Sequence, residues 1–292
     1  MKAPPLSYLR AATLSEAFQL WRDAGPDAKL LAGGQSLLAS LAFRLSEPGT
    51  LIDIGRLHEL KGIAQVGSSA IRVGALTTHA ELGRHQLIRQ HVPLLAEAAP
   101  LIAHPAIRNR GTLGGSLAFA DPAAELSASC VALEATIIAR NAADERRIPA
   151  AQFFTGLYTT ALKPYELIAA VEFPAAKPGE RAAIVELTRR SGDYAMAGVA
   201  AKARLAGSTL VEPLIVFFGL GDRPVVAQRA MAAISGQQVL ATTIPAAQAA
   251  LDADLDPPAD QHGNPETKLH FARVLLARAL TRLAGLPAER AA

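Results

Sequence analysis

Helix and strand signals alternate along the first fifty residues of the chain. Residues 13–24 are predicted to form a helix, with Thr13 as its N-cap. Short apolar runs predict strands at 29–32 and 50–54, and a helix is predicted between them at 37–45. A strand, turn, helix and strand within about thirty residues have the usual length of a βαβ crossover. We therefore expect one such unit at the start of the chain.

From residue 60 onward the pattern changes to a hairpin, short helices and further strands. Apolar residues on both sides of a turn at 67–69 predict the hairpin. Helices are predicted at 77–87, 93–99 and 123–133, and strands at 134–139, 146–149 and 167–173. Residues 175–179 combine proline and glycine with a charged side chain, which predicts a domain boundary.

The chain beyond this boundary has a different pattern again. Three apolar runs, at 183–188, 195–205 and 213–219, predict an antiparallel sheet. A final helix is predicted at 267–284, because its apolar residues recur at helical spacing and its arginines fall on another face. The pattern as a whole predicts a mixed α and β chain with more than one domain.

Composition and charge narrow the class of protein. Half of the 292 residues are hydrophobic, which is enough for a substantial core. The net charge is +3 and no run of five like charges occurs, so nothing resembles an arm that binds nucleic acid. The first ten residues lack the apolar core of a signal peptide, and no stretch of about 18 apolar residues is free of charge. We therefore expect a cytoplasmic protein without a membrane span.

The single cysteine, Cys130, limits the redox chemistry that this chain can carry alone. One cysteine cannot form a disulfide within the chain. An iron–sulfur cluster takes about four thiolates. Any such cluster would therefore have to lie on a partner chain.

A first glycine-rich segment lies between the second predicted strand and the helix after it. It spans residues 30–37, which we call the first loop, and contains Gly33 and Gly34. Glycines let the backbone turn tightly and approach a ligand closely. Ser36 could cap the following helix, and N–H groups without partners attract anions. The segment suits a diphosphate, although a glycine pair can also be a simple turn.

A second glycine-rich segment, residues 108–116, has similar chemistry, and we call it the second loop. It offers small residues, hydroxyls and backbone donors beside Arg108 and Arg110. These two guanidinium groups could pair with phosphate or form surface ion pairs. Two such loops could hold one phosphorylated ligand from two sides. Neither matches a Rossmann or a Walker motif, so a different architecture is expected.

Four ordered stretches of the chain resemble one known family. The run LLAGGQSLLASLAFRLSEPGTLIDIGRL and the run PAIRNRGTLGGSLAFADPAAEL resemble the two flavin-binding segments of FAD subunits of the carbon monoxide dehydrogenase and xanthine dehydrogenase family. VGALTTHAEL and RRSGDYAMAGVAA agree with the same family at similar spacing. The chain is thus identified as similar to the FAD-binding medium subunit of a molybdenum hydroxylase.

The resemblance implies an α+β fold. It implies the FAD-binding fold of the vanillyl-alcohol oxidase type, with a βαβ subdomain at residues 1–56 and a second α+β subdomain at residues 57–176. A C-terminal α+β domain with an antiparallel sheet and helices is expected at residues 177–292. The FAD would lie between the two subdomains, with the C-terminal domain covering the flavin side.

The resemblance also implies which residues contact the cofactor. In the first loop these are Leu30, Leu31, Ala32, Gly33, Gly34, Gln35, Ser36 and Leu37, with the diphosphate on residues 32–36. In the second loop they are Thr112, Gly114, Gly115 and Ser116. Further along the chain they are Ile102, Glu125, Ile168, Asp193 and Tyr194. No catalytic acid, base, nucleophile or metal ligand is expected on this chain.

Several of these residues have an alternative role. Glu125 could serve the first turn of a helix, Ile102 and Ile168 could be core residues, and Tyr194 could pack in the C-terminal sheet. Two positions depart from the family. Many relatives have His or Asn at Gln35, and a histidine often stands at Phe119, where an apolar ring could alter the flavin environment or the acceptor.

The implied activity is electron transfer within a complex. In this family a molybdenum–pterin cofactor hydroxylates the substrate, and electrons pass through two [2Fe–2S] clusters to FAD and then to an acceptor. The resemblance places FAD on this chain, and the other cofactors on an iron–sulfur small subunit and a molybdenum-binding large subunit. A heterotrimer or a dimer of heterotrimers is the expected assembly.

Three other functions stay open on the sequence. A free-standing FAD-dependent oxidase of the same fold would oxidise a small substrate without partners. A non-catalytic FAD-dependent scaffold would hold flavin that a reduced iron–sulfur partner cannot reduce. A nucleotide- or phosphate-binding module would be colourless. The colour of the protein and its response to a reduced partner therefore discriminate among them.

Overall fold

The computed structural model of the protein describes residues 4–207, 209–239 and 243–286. The strands of these residues, β1 to β14 in chain order, are Ser7–Arg10, Lys29–Leu31, Thr50–Asp53, Ile63–Val66, Ala70–Gly74, Thr136–Arg140, Glu145–Pro149, Phe154–Gly156, Thr159–Thr160, Leu167–Pro174, Glu180–Leu187, Ala197–Ala206, Thr209–Phe218 and Val225–Val226. The α-helices, α1 to α12, are Leu14–Ala24, Leu37–Ala42, His79–Arg84, Gln86–His91, Pro93–Ala98, Pro105–Arg108, Leu113–Phe119, Glu125–Ala132, Ala150–Phe153, Gln228–Ile234, Thr243–Ala250 and Pro265–Ala284.

The N-terminal part is a three-stranded parallel sheet. Its strand order is β1-β3-β2, and both outer strands run parallel to β3. Helix α1 begins where predicted, because the Thr13 hydroxyl accepts a hydrogen bond from the N–H of Glu16 at 3.1 Å. It buries Ala17 and Phe18 in the same apolar core as Ile52 of β3. Strand β1 was not predicted, since all of its side chains are exposed.

The middle part is a five-stranded antiparallel sheet with helices on it. The strand order is β4-β5-β10-β6-β7. The helix predicted at 77–87 is divided into α3 and α4, because His85 between them has an extended backbone. Thr78 and Glu81 form the capping box that begins α3. Helices α7 and α8 then place the second loop and Glu125 on one side of this sheet.

The C-terminal part is an antiparallel sheet of order β11-β12-β13-β14. One face, including Val185 and Val199, shares a core with the long helix α12. The other face, including Ile184 and Phe218, belongs to the core that surrounds α8 of the middle part. This second face joins the C-terminal sheet to the rest of the molecule. The side chains that project from it therefore reach the surface of the middle part.

Two features of the described residues bear on function. None of their helices is both long and apolar enough to cross a membrane. In the same residues, no group of three or more His, Cys, Asp or Glu side chains is arranged to hold a metal ion.

Cys130 lies in α8, is fully buried, and has its pKa raised by burial. A thiol in this setting is held in its unreactive protonated form.

Candidate cofactor site

The two glycine-rich loops meet at the carboxyl end of β2. A Cβ built on Gly33 would lie 2.0 Å from the carbonyl oxygen of Arg110 and 3.0 Å from the Cα of Gly111. A Cβ built on Gly115 would lie 3.9 Å from the Cβ of Ala32. Ligands commonly bind at the carboxyl ends of parallel strands. The fold thus brings together the two segments that the sequence singled out separately.

The first loop exposes a row of backbone donors. No hydrogen bond within the described residues uses the N–H groups of residues 33–37, and the first one after them, from Leu38 to the Gly34 carbonyl, closes α2 at 3.1 Å. Gly34 has φ +73°, a left-handed conformation that favours glycine. Consecutive N–H groups without partners form a concave site for an anion. The row of donors in this loop therefore suits an anion such as a phosphate group.

The prediction that Ser36 caps α2 is wrong. Its backbone is already helical, and its hydroxyl makes no capping hydrogen bond. An N-cap residue needs an extended backbone to turn its side chain onto the helix. The amide of Gln35 instead braces the loop, because Nε2 donates to the Gly33 carbonyl at 2.9 Å. The Ser36 hydroxyl consequently stays available to a ligand.

The second loop contributes differently from what the sequence suggested. Its backbone donors are already used: Leu113 donates to the Thr77 carbonyl at 3.0 Å, and Gly114 donates to the Ala75 carbonyl at 2.8 Å. Gly115 donates to the Thr112 hydroxyl at 3.1 Å. The loop therefore offers hydroxyl groups and close approach, rather than a second row of N–H donors.

Of the two roles predicted for the arginines, the surface ion pair is not found within the described residues, and pairing with phosphate stays a prediction. Arg108 donates to the main-chain carbonyls of Ile102 and Ala103, at 2.8 and 2.6 Å. It thereby fixes the segment before α6, in which Ala103 has φ +41°. Arg110 is exposed, and no ion pair within the described residues includes it.

A cluster of acidic side chains lies at the far end of α7. This acidic cluster consists of Asp121, Glu125 and Glu186. Burial, with the nearby Asp121 carboxyl, raises the pKa of Glu125 to about 7. Burial, with the charge of Glu125, raises the pKa of Glu186 to about 8. Burial also raises the pKa of Asp121.

Two other partly buried acids of this protein have cationic partners. Glu166 pairs with Arg146 at 2.7 Å, and Glu172 pairs with Arg72 at 3.0 Å. No ion pair within the described residues reaches any member of the acidic cluster. Like charges placed together raise each other's pKa. Titratable groups perturbed in this way are typical of functional sites.

Aromatic side chains surround the acidic cluster. Phe119, the position that departs from the family, packs edge to face on Tyr158 with ring centroids 5.2 Å apart. Tyr158 has φ +51°, which is unusual for a bulky residue. Tyr194 is 65% exposed, and burial followed by the charge of Asp121 raises its pKa. The acids and rings therefore lie together beside an exposed surface, and we call the region between them the cleft.

The remaining predicted contacts lie around this cleft or in the core. The loop before β12 touches the segment of Ile102, because a Cβ on Gly192 would lie 3.1 Å from the Ala103 carbonyl. Asp193 follows in that loop and is exposed. Ile168 is only 5% exposed and belongs to the core of the middle part. The structure thus assembles most of the predicted residues and places Ile168 inside the protein.

His79 lies directly beneath the second loop. It is buried, and a Cβ on Gly111 would come within 2.9 Å of its ring. Neither ring nitrogen has a hydrogen-bond partner in the described residues. Burial, with a small contribution from the Arg108 charge, lowers the pKa of His79 to about 4. The imidazole is therefore neutral at physiological pH and supports the loop by packing.

The geometry fits an elongated ligand with two chemically different ends. Unused N–H donors lie at one end of α7, and unpaired carboxyls lie at the other. Helix α7 has seven residues, so the two ends are about 10 Å apart at 1.5 Å per residue. FAD has a diphosphate, which can accept hydrogen bonds from the N–H groups. It also has a ribityl chain next to its flavin ring, and the hydroxyls of this chain can donate to the carboxyls. The residues present therefore fit this cofactor.

Family comparisons decide the class of protein. Residues 4–176 match the FAD binding domain in molybdopterin dehydrogenase, and residues 182–283 match the CO dehydrogenase flavoprotein C-terminal domain. The chain belongs to the family of FAD-binding medium subunits of molybdenum hydroxylases. Its cofactor is FAD, and it is a subunit of an oxidoreductase, as the sequence predicted.

Individual relatives agree over nearly the whole chain. The medium subunit is 38% identical over 283 residues to the 6-hydroxypseudooxynicotine dehydrogenase complex subunit alpha of Paenarthrobacter nicotinovorans, covering 97% of this chain and 95% of that protein. It is 35% identical over 280 residues to the carbon monoxide dehydrogenase medium chain of Hydrogenophaga pseudoflava, covering 96% and 97%. A solved carbon monoxide dehydrogenase from Hydrogenophaga pseudoflava, lacking the Mo-pyranopterin moiety, superimposes with TM-score 0.93 at 37% identity over 96% of this chain and 98% of that one. The predicted fold class is confirmed.

Three residues of the site were not predicted from the sequence. They are Asp121, Tyr158 and Glu186. Asp121 lies within a run that resembles the family, but the sequence indicated no role for it. Glu186 carried a usable signal, since it is a lone acid in the apolar run at 183–187. Tyr158 carried none, because its place beside Phe119 depends on the hairpin of β8 and β9.

Proposed function

We propose that this medium subunit carries electrons from the [2Fe–2S] clusters of a partner subunit, through FAD, to an external acceptor. The observation that carries the proposal is the meeting of the two loops, with the unused N–H groups of residues 33–37 facing the junction. A diphosphate is the ligand group that satisfies such donors.

The residues predicted from the sequence are assigned to FAD in three groups. The first loop, Leu30 to Leu37, holds the diphosphate through main-chain N–H groups and the Ser36 hydroxyl. Thr112 and Ser116 contact it from the second loop, where Gly114 and Gly115 allow close approach. Glu125 binds the ribityl or ribose hydroxyls. Ile102, Asp193 and Tyr194 complete the contacts with the flavin and adenine, whereas Ile168 supports the site from the core.

The chemistry of the reaction belongs to the cofactor, and the chain controls its surroundings. Bound FAD supplies redox chemistry, since flavins accept and release electrons singly or in pairs. The two loops hold the anionic end, and the glycines allow the backbones to close on it. The aromatic residues Phe119, Tyr158 and Tyr194 offer ring faces and edges beside the acidic cluster. Tyr194 is exposed enough for an acceptor to reach the cleft from its side.

The rest of the complex follows from what this chain lacks. Its one cysteine, Cys130, is buried in α8 and cannot ligate a cluster. We therefore assign the two clusters to an iron–sulfur small subunit and the molybdenum–pterin cofactor to a large subunit, in a heterotrimer or a dimer of heterotrimers. The proposed location is the cytoplasm. The proposed domains are residues 1–56, 57–176 and 177–292, each of which contains a separate sheet.

The substrate of the complex is set by the partner subunit that carries molybdenum. The two curated relatives, at 38% and 35% identity, are named for 6-hydroxypseudooxynicotine and for carbon monoxide. These two names differ in substrate, although the two medium subunits have similar identity to this chain. Similarity of the medium subunit therefore does not indicate the substrate.

The proposal is tested on the native complex, purified through a tag on this chain. The complex is identified by mass spectrometry, and its absorption spectrum is recorded before and after reduction of the iron–sulfur centres. We expect flavin bands, iron–sulfur absorption and two additional subunits. Reduction of the clusters should bleach the flavin in the same sample.

Other outcomes would contradict the proposal in distinguishable ways. Flavin without any partner, together with oxidation of a small substrate by the chain alone, would favour the free-standing oxidase. Flavin that a reduced iron–sulfur partner does not bleach would favour the scaffold. A colourless protein would overturn the assignment of the cleft to FAD.

A further inference from the structure

Strand β11 turns alternate side chains toward two different cores. Ala183 and Val185 belong to the core beneath α12, whereas Ile184 belongs to the core around α8. Side chains alternate along a strand, so Glu186 lies on the same face as Ile184. An acidic side chain therefore projects from the C-terminal sheet toward the FAD-binding part of the chain.

The sheet itself offers Glu186 an apolar setting. Glu186 pairs with Gly198 on β12, and Gly198 pairs with Phe218 on β13. The ring of Phe218 covers Gly198 so closely that a Cβ there would lie 2.0 Å from it. Directly paired residues share a face of an antiparallel sheet. The Glu186 carboxyl therefore lies on a face with an aromatic ring, and its Oε2 atom is buried with no hydrogen-bond partner in the described residues.

Glu125 faces Glu186 from the FAD-binding part. It begins α8, which packs against β12 and β13. Its side chain is 8% exposed, and the charge of Glu125 acts on Glu186. Ser129 donates to the main-chain carbonyl of Glu125 at 2.7 Å, and the backbone N–H of Glu125 itself is the donor beside its carboxylate. A buried carboxyl and a half-buried one thus face each other, and no side chain of the described residues donates a hydrogen bond to either.

The cationic side chains on the neighbouring elements contact other groups than Glu125 and Glu186. Lys202 of β12 pairs with Glu134 at 2.8 Å. Arg282 of α12 donates to the carbonyl of Ile184 at 3.0 Å, and its charge acts on Glu97 of α5.

The other titratable groups near the carboxyl pair are acids as well. Asp121 acts on Glu125, and Tyr158 and Tyr194 lie on the open side of the cleft. None of them supplies a positive charge. A ligand that brings hydrogen-bond donors without negative charge would satisfy the pair.

We propose that Glu186 and Glu125 form a carboxyl clamp that binds the uncharged, hydroxyl-bearing part of FAD across the boundary between the C-terminal sheet and the FAD-binding part. The proposal rests on the assignment of the cleft to FAD. The clamp is the chemical counterpart of the first loop, which binds the anionic end. Through Glu186, the C-terminal sheet would contact the cofactor directly.

The clamp predicts a dependence of FAD affinity on pH. Without the cofactor, burial and the charge of Glu125 favour the protonated form of Glu186. Hydroxyl donors from FAD stabilise the ionised form, so binding releases that proton. Because one unit of pKa change corresponds to a tenfold change in affinity, we expect the Kd for FAD to fall at least about fivefold between about pH 6 and about pH 9.

Glu186→Gln tests the clamp in the full-length chain stripped of flavin. Glutamine keeps the size and hydrogen-bonding capacity of the side chain but cannot ionise. We expect the pH dependence of its Kd for FAD to become weaker than in the wild type, because only Glu125 of the pair can still ionise. Glu186→Leu should weaken binding at least about tenfold, the loss of about one hydrogen bond to a charged group. Glu180→Gln is the matched control, since it lies on the same strand and away from the cluster. It should retain the wild-type pH profile.

The outcomes separate this inference from the function on which it rests. A pH profile of Glu186→Gln that matches the wild type would overturn the clamp, as would full affinity in a folded Glu186→Leu variant. Circular dichroism establishes that each variant is folded, and Glu186→Gln decides the question if Glu186→Leu is not. If Gly33→Ala, at the first loop, also leaves FAD binding unchanged, the cofactor site itself is wrong and the clamp falls with it.

Discussion

Gly33 is the position where adding one methyl group should weaken cofactor binding most. The Cβ of Gly33→Ala would lie 2.0 Å from the Arg110 carbonyl oxygen and 2.8 Å from its carbon. Both are backbone atoms, so no side chain can rotate away. The loops must separate by about 1.4 Å to restore an ordinary contact of 3.4 Å. That displacement acts at the junction where the diphosphate is proposed to bind.

Gly33→Ala is expected to change two quantities, the stability of the chain and its affinity for FAD. Overpacking of this kind destabilises a protein by about 1–3 kcal/mol. The displaced first loop also loses hydrogen bonds to a charged ligand, at about 1.5–3 kcal/mol each. Losing one of them corresponds to at least about a tenfold rise in the Kd for FAD, and losing two to at least about a 100-fold rise. The Kd for FAD should therefore rise by more than the change in the stability of the chain alone would explain.

Two measurements on the full-length chain separate these parts. Titration with FAD, followed by flavin fluorescence, gives the Kd, and chemical unfolding without FAD gives the stability of the chain itself. Gly49→Ala is the matched control, because no atom lies within 4 Å of its added Cβ. It should bind FAD like the wild type. A Gly33→Ala Kd within about threefold of the wild type, less than about 1 kcal/mol, would refute the reasoning.

Three further substitutions test separate parts of the structure. Gly115→Val should abolish retention of FAD during purification, because its Cβ would lie 2.8 Å from the Thr112 hydroxyl that caps α7; full flavin occupancy would argue against the second loop. Cys130→Ser should leave flavin content and reduction unchanged and lower stability by about 1 kcal/mol, the usual size for a buried polar change; a large loss of flavin reduction would reveal a redox role. In the unfolded state His79 binds a proton below about pH 6.5, whereas in the folded state it does so only near about pH 4. The free energy of unfolding of the wild type should therefore decrease by about 3 kcal/mol as the pH is lowered from about 6.5 to about 4. His79→Gln should flatten this part of the stability curve, and an unchanged curve would exclude His79 as its source.

Local signals in the sequence determined the nature and order of most elements. The capping residue Thr13, the apolar runs of β2 and β3 and the spacing of α12 are local properties, and the structure contains all of these elements. The two glycine-rich loops were also recognisable, because glycine is required where a backbone must turn or approach another closely. The family followed from the same short stretches.

Where the sequence failed, a distant partner decided the outcome. Strand β1 has only exposed side chains and forms because β3 lies beside it. The second loop lost its backbone donors to Ala75 and Thr77, which approach it through the antiparallel sheet. Ser36 has a good capping side chain, but its backbone turns helical at the end of the first loop.

The site as a whole is a product of tertiary structure. Gly33 and Arg110 come into contact only after the parallel and antiparallel sheets have packed together. Glu186 meets Glu125 only because β11 turns that face toward α8. Residue type and local spacing fix which groups can bind a cofactor. Their distances, their desolvation and hence their pKa values depend on which distant segments enclose them, and a linear pattern does not contain that information.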